Sequence, residues 1–309
     1  MRIHHLNCIS TCPLGGHLMD GRTASVLRRG ELACHCLLVE TGSGLVLIDT
    51  GLGMRDVEDP KGRLSAFFLA LLDPDLRREM TAIRQIERLG YNPQDVRNIV
   101  LTHLDFDHAG GLDDFPWARV HLMGVEREYA QLQKTWLDRQ RFRPQQWGTQ
   151  DQWLTYAPER GGSWFGFERV RQLHGVPPEI VMVPIAGHTL GHAGVAVQRS
   201  GGTWLFMAGD AYFWRQEIDP DRPRCTPGLR FYQWMMEKDR RSRLRNQERL
   251  RELKRGYGRE VTICCGHDPV EFERVSDRLA STPAHPRAAW SEPVRAQHFS
   301  GVTLLGPRA

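Results

Sequence analysis

The sequence predicts an α/β or α+β chain folded as a four-layer αβ/βα sandwich, with a site at one edge of two paired sheets. Three observations predict it. Short apolar strand-like runs alternate with helical segments along the chain. Four of those runs end in a polar knot or a Gly turn that delivers metal-type ligands, and such residues gather only there. The ligands span His103 to His267, so one centre draws on most of the chain and the 309 residues read as a single domain.

Composition narrows the function classes. With 40% hydrophobic and 25% charged residues the chain reads as an ordinary soluble globular protein. No apolar run approaches the ~18 residues of a membrane span, so no membrane partner is expected. The opening residues Met1 to Asn7 lack the apolar stretch of a secretory leader. With seven Cys, an odd number, this predicts reduced thiols and a cytoplasmic protein. Cys8, Cys12, Cys34 and Cys36 do not form the paired spacing of a zinc knuckle. Cys34 and Cys36 share one face of a strand, where Cys acts as a small hydrophobe.

The elements follow in order. Leu32 to Thr41 and Leu45 to Ile48 read as strands joined by the Gly42-Ser43-Gly44 turn, and Asp49-Thr50-Gly51 ends the second. Residues 54–100 are mostly helical: Ile83, Ile86 and Leu89 recur at three-residue spacing until Gly90 stops the helix, and Leu89 to Val96 is a turn and a short helix start before the next strand. Asn98 to Thr102 is a strand and Val120 to Met123 a shorter one. Glu126 to Arg139 reads as one helix, and Arg141 to Gly166 as mostly loop. This Trp-rich insertion at about 125–175 carries Trp136, Trp147, Trp153 and Trp164; together with Trp117 they are expected to form an apolar substrate wall. Its basic residues Arg139, Arg141 and Arg143 raise nucleic acid, but no extra binding domain or arm accompanies them, so no nucleic-acid partner is expected. A strongly charged surface helix is predicted at about 229–255, with Phe231, Trp234, Met235, Leu244 and Leu253 as its partial apolar stripe. The tail from Thr282 is rich in Pro, Arg and Ala and reads as irregular chain.

The chemistry concentrates in His103-Leu104-Asp105-Phe106-Asp107-His108, two His and two Asp in six residues, followed by Ala109-Gly110-Gly111. Imidazole with carboxylate suits zinc, iron or manganese better than calcium or magnesium. Three further runs end in Gly187-His188, Gly209-Asp210 and Gly266-His267.

His-x-Asp-x-Asp-His, then Gly-His-Thr-Leu-Gly-His, Gly-Asp and Gly-His-Asp, resembles the metallo-β-lactamase superfamily from about Leu37 to Asp268. Within it the chain is most similar to the lactonases that open N-acyl homoserine lactones, the quorum-quenching type. The resemblance implies the metallo-β-lactamase sandwich, two divalent ions and hydrolysis of lactones or other small esters. Zinc is the first expectation for both ions, with iron or manganese as alternatives. Carried over residue by residue, Asp107, His108 and His267 hold one ion, His103 and His188 the other, and Asp210 bridges them. Asp49 braces the ligand loop from behind.

Asp105 departs from the family's common pattern, which has His there. As an unpaired carboxylate beside two dications it is expected to ligate, and to shift the first ion toward harder metals. The implied mechanism has a metal-held water attack a carbonyl, Tyr212 help carry the oxyanion and Asp107 pass a proton to the leaving alkoxide. Lactonase relatives place a Tyr three residues after the bridging Asp; here that residue is Phe213. His192 reads as part of a turn. Hydrolysis of a phosphodiester, thioester or β-lactam on the same metals, or a redox or non-catalytic metal protein, stays as the alternative. A small-molecule substrate is expected, with a homodimer left open.

Overall fold

The computed structural model of the chain describes residues 1–148 and 150–280. The tail from Thr282 lies outside them. Two six-stranded mixed sheets form the centre. The first holds β1 (Ile3–Asn7), β2 (His35–Thr41), β3 (Gly44–Ile48), β4 (Val96–Val100), β5 (Arg119–Met123) and β6 (Trp153–Tyr156), in that order. The second holds β7 (Gly162–Trp164), β8 (Phe167–Gln172), β9 (Ile180–Pro184), β10 (Ala193–Gln198), β11 (Trp204–Met207) and β12 (Val261–Cys264), again neighbour by neighbour.

The layers follow from the two-residue period of the strands. In β2, Leu37 and Val39 face the second sheet, while Cys36 and Leu38 face outward. In β3, Val46 and Ile48 face inward, while Leu45 and Leu47 face outward. The second sheet answers with Val195, Val197, Leu205 and Met207 inward, and Ala196 and Phe206 outward. Both faces of each sheet are therefore apolar, and each outer face takes helices. This is the expected four-layer sandwich.

The first helices are α1 (His17–Asp20), α2 (Met54–Glu58), α3 (Pro60–Arg63), α4 (Ala66–Leu72) and α5 (Ala82–Arg88). Ala82 and Ile86 of α5 close the outer face of the first sheet. α6 (Phe106–Ala109) lies within the ligand motif itself, and α7 (Gly124–Leu132) and α8 (Trp136–Arg141) follow. α9 (Pro227–Met236), α10 (Arg240–Tyr257) and α11 (Pro269–Ala280) complete the described chain. Leu250 and Leu253 of α10 cover the second sheet. A separate apolar cluster joins α1, α4 and α9 to Phe106 and Phe213 beside the ligand loops.

Several expected boundaries move. The helix expected at 126–139 breaks at Gln133, whose φ of 43° is left-handed, and restarts where the Thr135 hydroxyl accepts from the Asp138 amide. The charged helix expected at 229–255 is two helices. Asp239 caps the second by accepting from the Ser242 amide, and the amides of Lys238 and Asp239 both donate to the Gly187 carbonyl. That break docks the helix pair onto the His188 loop. The 141–166 stretch holds the edge strands β6 and β7, too short, at four and three residues, to read as strands. The Trp-rich segment thus feeds both sheets. Its Trp residues form no wall: Trp147 and Trp164 are core, Trp117 and Trp153 pack against it, and Trp136 is exposed on α8.

Candidate metal centre

Strand direction brings the ligands together. β9 and β10 run antiparallel, β10 and β11 antiparallel, β11 and β12 parallel. The C-terminal ends of β9, β11 and β12 therefore share one edge, which delivers His188, Asp210 and His267. From the first sheet, β4 stops at Val100, two residues earlier than its sequence suggests. Leu101 and Thr102 leave the ladder and carry His103 to the same edge. Glycine is required at two of these turns. Gly187 has φ 147° and a Cβ there would sit 2.4 Å from the Arg243 amide nitrogen; Gly209 has φ 51° and its Cβ would sit 2.7 Å from His192 Nε2.

The seven expected ligands all arrive, in two clusters: His103, Asp105, His188 and Asp210; and Asp107, His108 and His267. Asp210 faces both. Its Oδ1 lies 3.2 Å from His108 Nε2 and 3.1 Å from His267 Nε2, while its Oδ2 lies 3.6 Å from His103 Nε2 and 3.3 Å from His188 Nε2. His108 Nε2 and His267 Nε2 are 3.3 Å apart, and Asp107 Oδ2 is 3.8 Å from His267 Nε2. Neighbouring donors on a tetrahedral ion with bonds of about 2.0–2.1 Å stand about 3.3 Å apart.

The tautomers point the same way. His267 Nδ1 donates to the Ala33 carbonyl at 2.8 Å, and His108 Nδ1 faces Asp49 Oδ2 at 2.9 Å. The Thr102 hydroxyl donates to Asp49 Oδ2 at 2.8 Å, so it accepts from His103 Nδ1 at 2.9 Å. Each Nε2 lone pair is left facing its cluster. His103 Nε2 and Asp210 Oδ1 are buried with no hydrogen-bond partner, which a cation would satisfy. Burial opposes ionisation of Asp210, yet the four imidazoles around it hold its carboxyl well below the usual range. The residues present fit a pair of divalent ions.

Asp49 takes the bracing place expected of it. It sits at φ 54°, in a left-handed turn that Asp tolerates, and accepts from the Thr102 amide at 2.8 Å as well as from the Thr102 hydroxyl and His108. Asp49→Asn keeps the shape but loses the charge that orients His108. It should lower affinity for zinc roughly 10- to 100-fold, read by chelator competition, while thermal unfolding stays cooperative. Unchanged affinity would reduce Asp49 to a turn residue.

Other residues hold the loops without ligand roles. His192 donates from Nδ1 to the Ile185 carbonyl and accepts the Asp210 amide on Nε2 at 2.9 Å, so it aims the bridging carboxylate. Glu126, wholly buried, accepts the amides of Leu104 and Gly191 and ties two ligand loops together. The sequence offered no signal for Glu126, which lies on a helix far from any motif.

Asp105 is the first correction. It is no unpaired carboxylate: Arg141 forks onto it, Nε to Oδ1 at 2.6 Å and Nη2 to Oδ2 at 2.5 Å. Asp105 Oδ2 still faces His103 Nε2 at 3.3 Å and His188 Nε2 at 2.9 Å, so it can ligate. The pair is neutral overall, as an imidazole is, which removes the charge argument for harder metals. Burial works against the ionised Asp105, but Arg141 keeps its carboxyl well below the ordinary range. Of the basic residues Arg139, Arg141 and Arg143, Arg141 is fully buried.

Tyr212 is the second correction. It points away from the ligands, is fully buried, and donates to Glu271 Oε2 at 2.8 Å. A different phenol lies near the ligand carboxylates. Tyr232 of α9 packs on Phe213 at 5.6 Å, and Phe213 stacks on His267 at 4.9 Å and 14°. Burial and the carboxylates of Asp107, Asp105 and Asp210 together push the Tyr232 hydroxyl well above its usual value. Asp107, 7% exposed, and Tyr232, 9% exposed, are the most accessible polar groups at the centre. Tyr232 shares one buried apolar cluster with Phe106, Phe213, Leu229 and Met236.

A family model described as the metallo-beta-lactamase superfamily matches residues 29–267. The chain is 38% identical over 277 residues to a probable metallo-hydrolase of Mycobacterium tuberculosis, covering 90% of this chain and 83% of that one. It is 25% identical over 215 residues to an N-acyl homoserine lactonase of Bacillus cereus, covering 68% and 78%. Its fold resembles an N-acyl homoserine lactone hydrolase solved with N-hexanoyl-L-homoserine at its catalytic metal centre: TM-score 0.65, 19% identity, 88% of this chain and 95% of that one. It also resembles a dizinc quorum-quenching lactonase, with TM-score 0.57, 16% identity and coverage of 86% and 87%.

Proposed function

From a chain that belongs to the metallo-β-lactamase superfamily of metal-dependent hydrolases, we propose a dinuclear hydrolase, loaded with zinc, that opens lactones or other small esters. The observation that carries the dinuclear reading is Asp210, whose two oxygens face different donor clusters. The N-acyl homoserine lactonases among its relatives and fold neighbours support lactones as the first substrates to test.

Bound ions would polarise the substrate carbonyl and make water a nucleophile at neutral pH. The chain's own residues supply the rest. Asp107 reaches the accessible side of the centre and can carry a proton from the attacking water to the leaving alkoxide. Tyr232 can donate its hydroxyl to the developing oxyanion or the leaving oxygen. Tyr232 comes to this position from α9, packed beside Phe213.

The test is a substrate panel run on protein of known metal content: N-acyl homoserine lactones, simple esters, a thioester, a phosphodiester and a β-lactam. Turnover of lactones at least about tenfold above the rest supports the reading. Preference for a phosphodiester, thioester or β-lactam rejects it while leaving the metal centre in place. Tyr232→Phe should lower kcat roughly 100-fold with little change in KM and full metal content. Unaltered kcat would remove Tyr232 from the reaction.

A further inference from the structure

Arg141 sits where a metalloenzyme would ordinarily keep no cation. Its guanidinium is fully buried and fixed on three sides. Nε and Nη2 fork onto Asp105, Nη1 donates to the Met236 carbonyl at 2.5 Å, and Nη2 reaches His188 Nε2 at 2.8 Å. Arginine has donors only, so that last contact is a hydrogen bond when His188 Nε2 accepts. The same lone pair would bind a metal. Asp105 Oδ2, the other atom that Nη2 engages, also faces that position. The second cluster is different. His108 and His267 keep their Nε2 atoms turned toward one another and toward Asp210 Oδ1, and no hydrogen bond from Arg141 reaches any of its residues.

We infer that Arg141 makes the two metal positions unequal: its fixed guanidinium weakens a dication held by His103, Asp105 and His188, so the position of Asp107, His108 and His267 loads first. The inference rests on the reading of both clusters as metal sites. Two causes act in one direction. The guanidinium engages the lone pairs that the first ion needs, and its charge cancels the attraction that the Asp105 carboxylate would otherwise exert on that ion. Arg141 is thus a positioning residue that grades affinity, and the Asp105–Arg141 pair stands in for the imidazole of the family's usual motif with a built-in handicap.

Zinc titration of chelator-stripped protein against a chromophoric competitor tests this. The wild type should take up two equivalents whose affinities differ by roughly tenfold or more. Anomalous scattering from crystals grown with one equivalent should place the ion among Asp107, His108 and His267. Arg141→Met removes charge and donors, and should tighten the weaker equivalent about tenfold or more; Arg141→Lys, which keeps the charge, should retain most of the gap. Asp105→His combined with Arg141→Met removes both buried charges together, so it decides the matter if the single variant fails to fold. Two nearly equal affinities there support the inference, and a persisting wild-type gap overturns it. An unchanged gap in Arg141→Met, loss of its weaker equivalent, or a first ion found among His103, Asp105 and His188 also overturns it. In those cases two bound equivalents still uphold the metal reading. A wild type that binds no zinc removes both.

Discussion

His267→Ala should leave a folded protein that has lost at least one zinc equivalent and more than about 100-fold of its hydrolytic rate. Removing a residue that only orients a ligand costs 10- to 100-fold in affinity or activity, so removing the ligand costs more. His267 arrives at the end of β12 with Nδ1 committed to Ala33 and Nε2 committed to the cluster, and its ring is the platform on which Phe213 lies. The substitution therefore removes a donor and loosens the apolar wall that carries Tyr232. Stability should suffer little in the chelator-stripped state, by about 1 kcal/mol for the Ala33 carbonyl left unpaired. Elemental analysis after growth in zinc-supplemented medium, beside circular dichroism, measures both. Full metal content in a folded variant would take His267 out of the centre.

Asp105→Ala should be the most destabilising single change at the centre. Arg141 would remain buried with its principal counter-charge gone, and breaking a buried pair from one side costs about 3–5 kcal/mol. For a chain of this size that is a fall in Tm of roughly 5–15 °C, measured on chelator-stripped protein so that metal loss does not contribute. The ion shared by His103 and His188 should also be lost. Arg141 further fastens the Met236 end of α9, so the variant should loosen the helix that carries Tyr232. Unchanged Tm and unchanged metal content together would show that the Asp105–Arg141 pair matters to neither fold nor metal.

The sequence announces its ligands because each is a polar residue at the end of an apolar run, a pattern that local composition exposes. Strand alternation in β2 and β3 reveals the layers for the same reason. The remainder was hidden because it depends on distance in space. Arg141 lies 36 residues from Asp105 in sequence, on a helix whose basic neighbours look like surface. Tyr232 belongs to an amphipathic helix where aromatic residues read as packing. Tyr212 looked right by position beside Asp210, but the chain turns there and sends its side chain to Glu271. The helix breaks at Gln133 and Glu237 lie in stretches of good helix formers, and only the capping residues Thr135 and Asp239 mark them.

Each donor cluster takes residues from both sheets: His103 and Asp105 after β4 with His188 and Asp210 from the other side, and Asp107 and His108 with His267. An ion in either place would act as a rivet through the open edge of the sandwich. The halves of the chain would then be fastened at one end by coordination bonds and elsewhere by the apolar seam between the sheets. On the proposed function, substrate would enter at the riveted end. Metal supply would therefore govern the mechanical integrity of the entrance as well as the chemistry inside it.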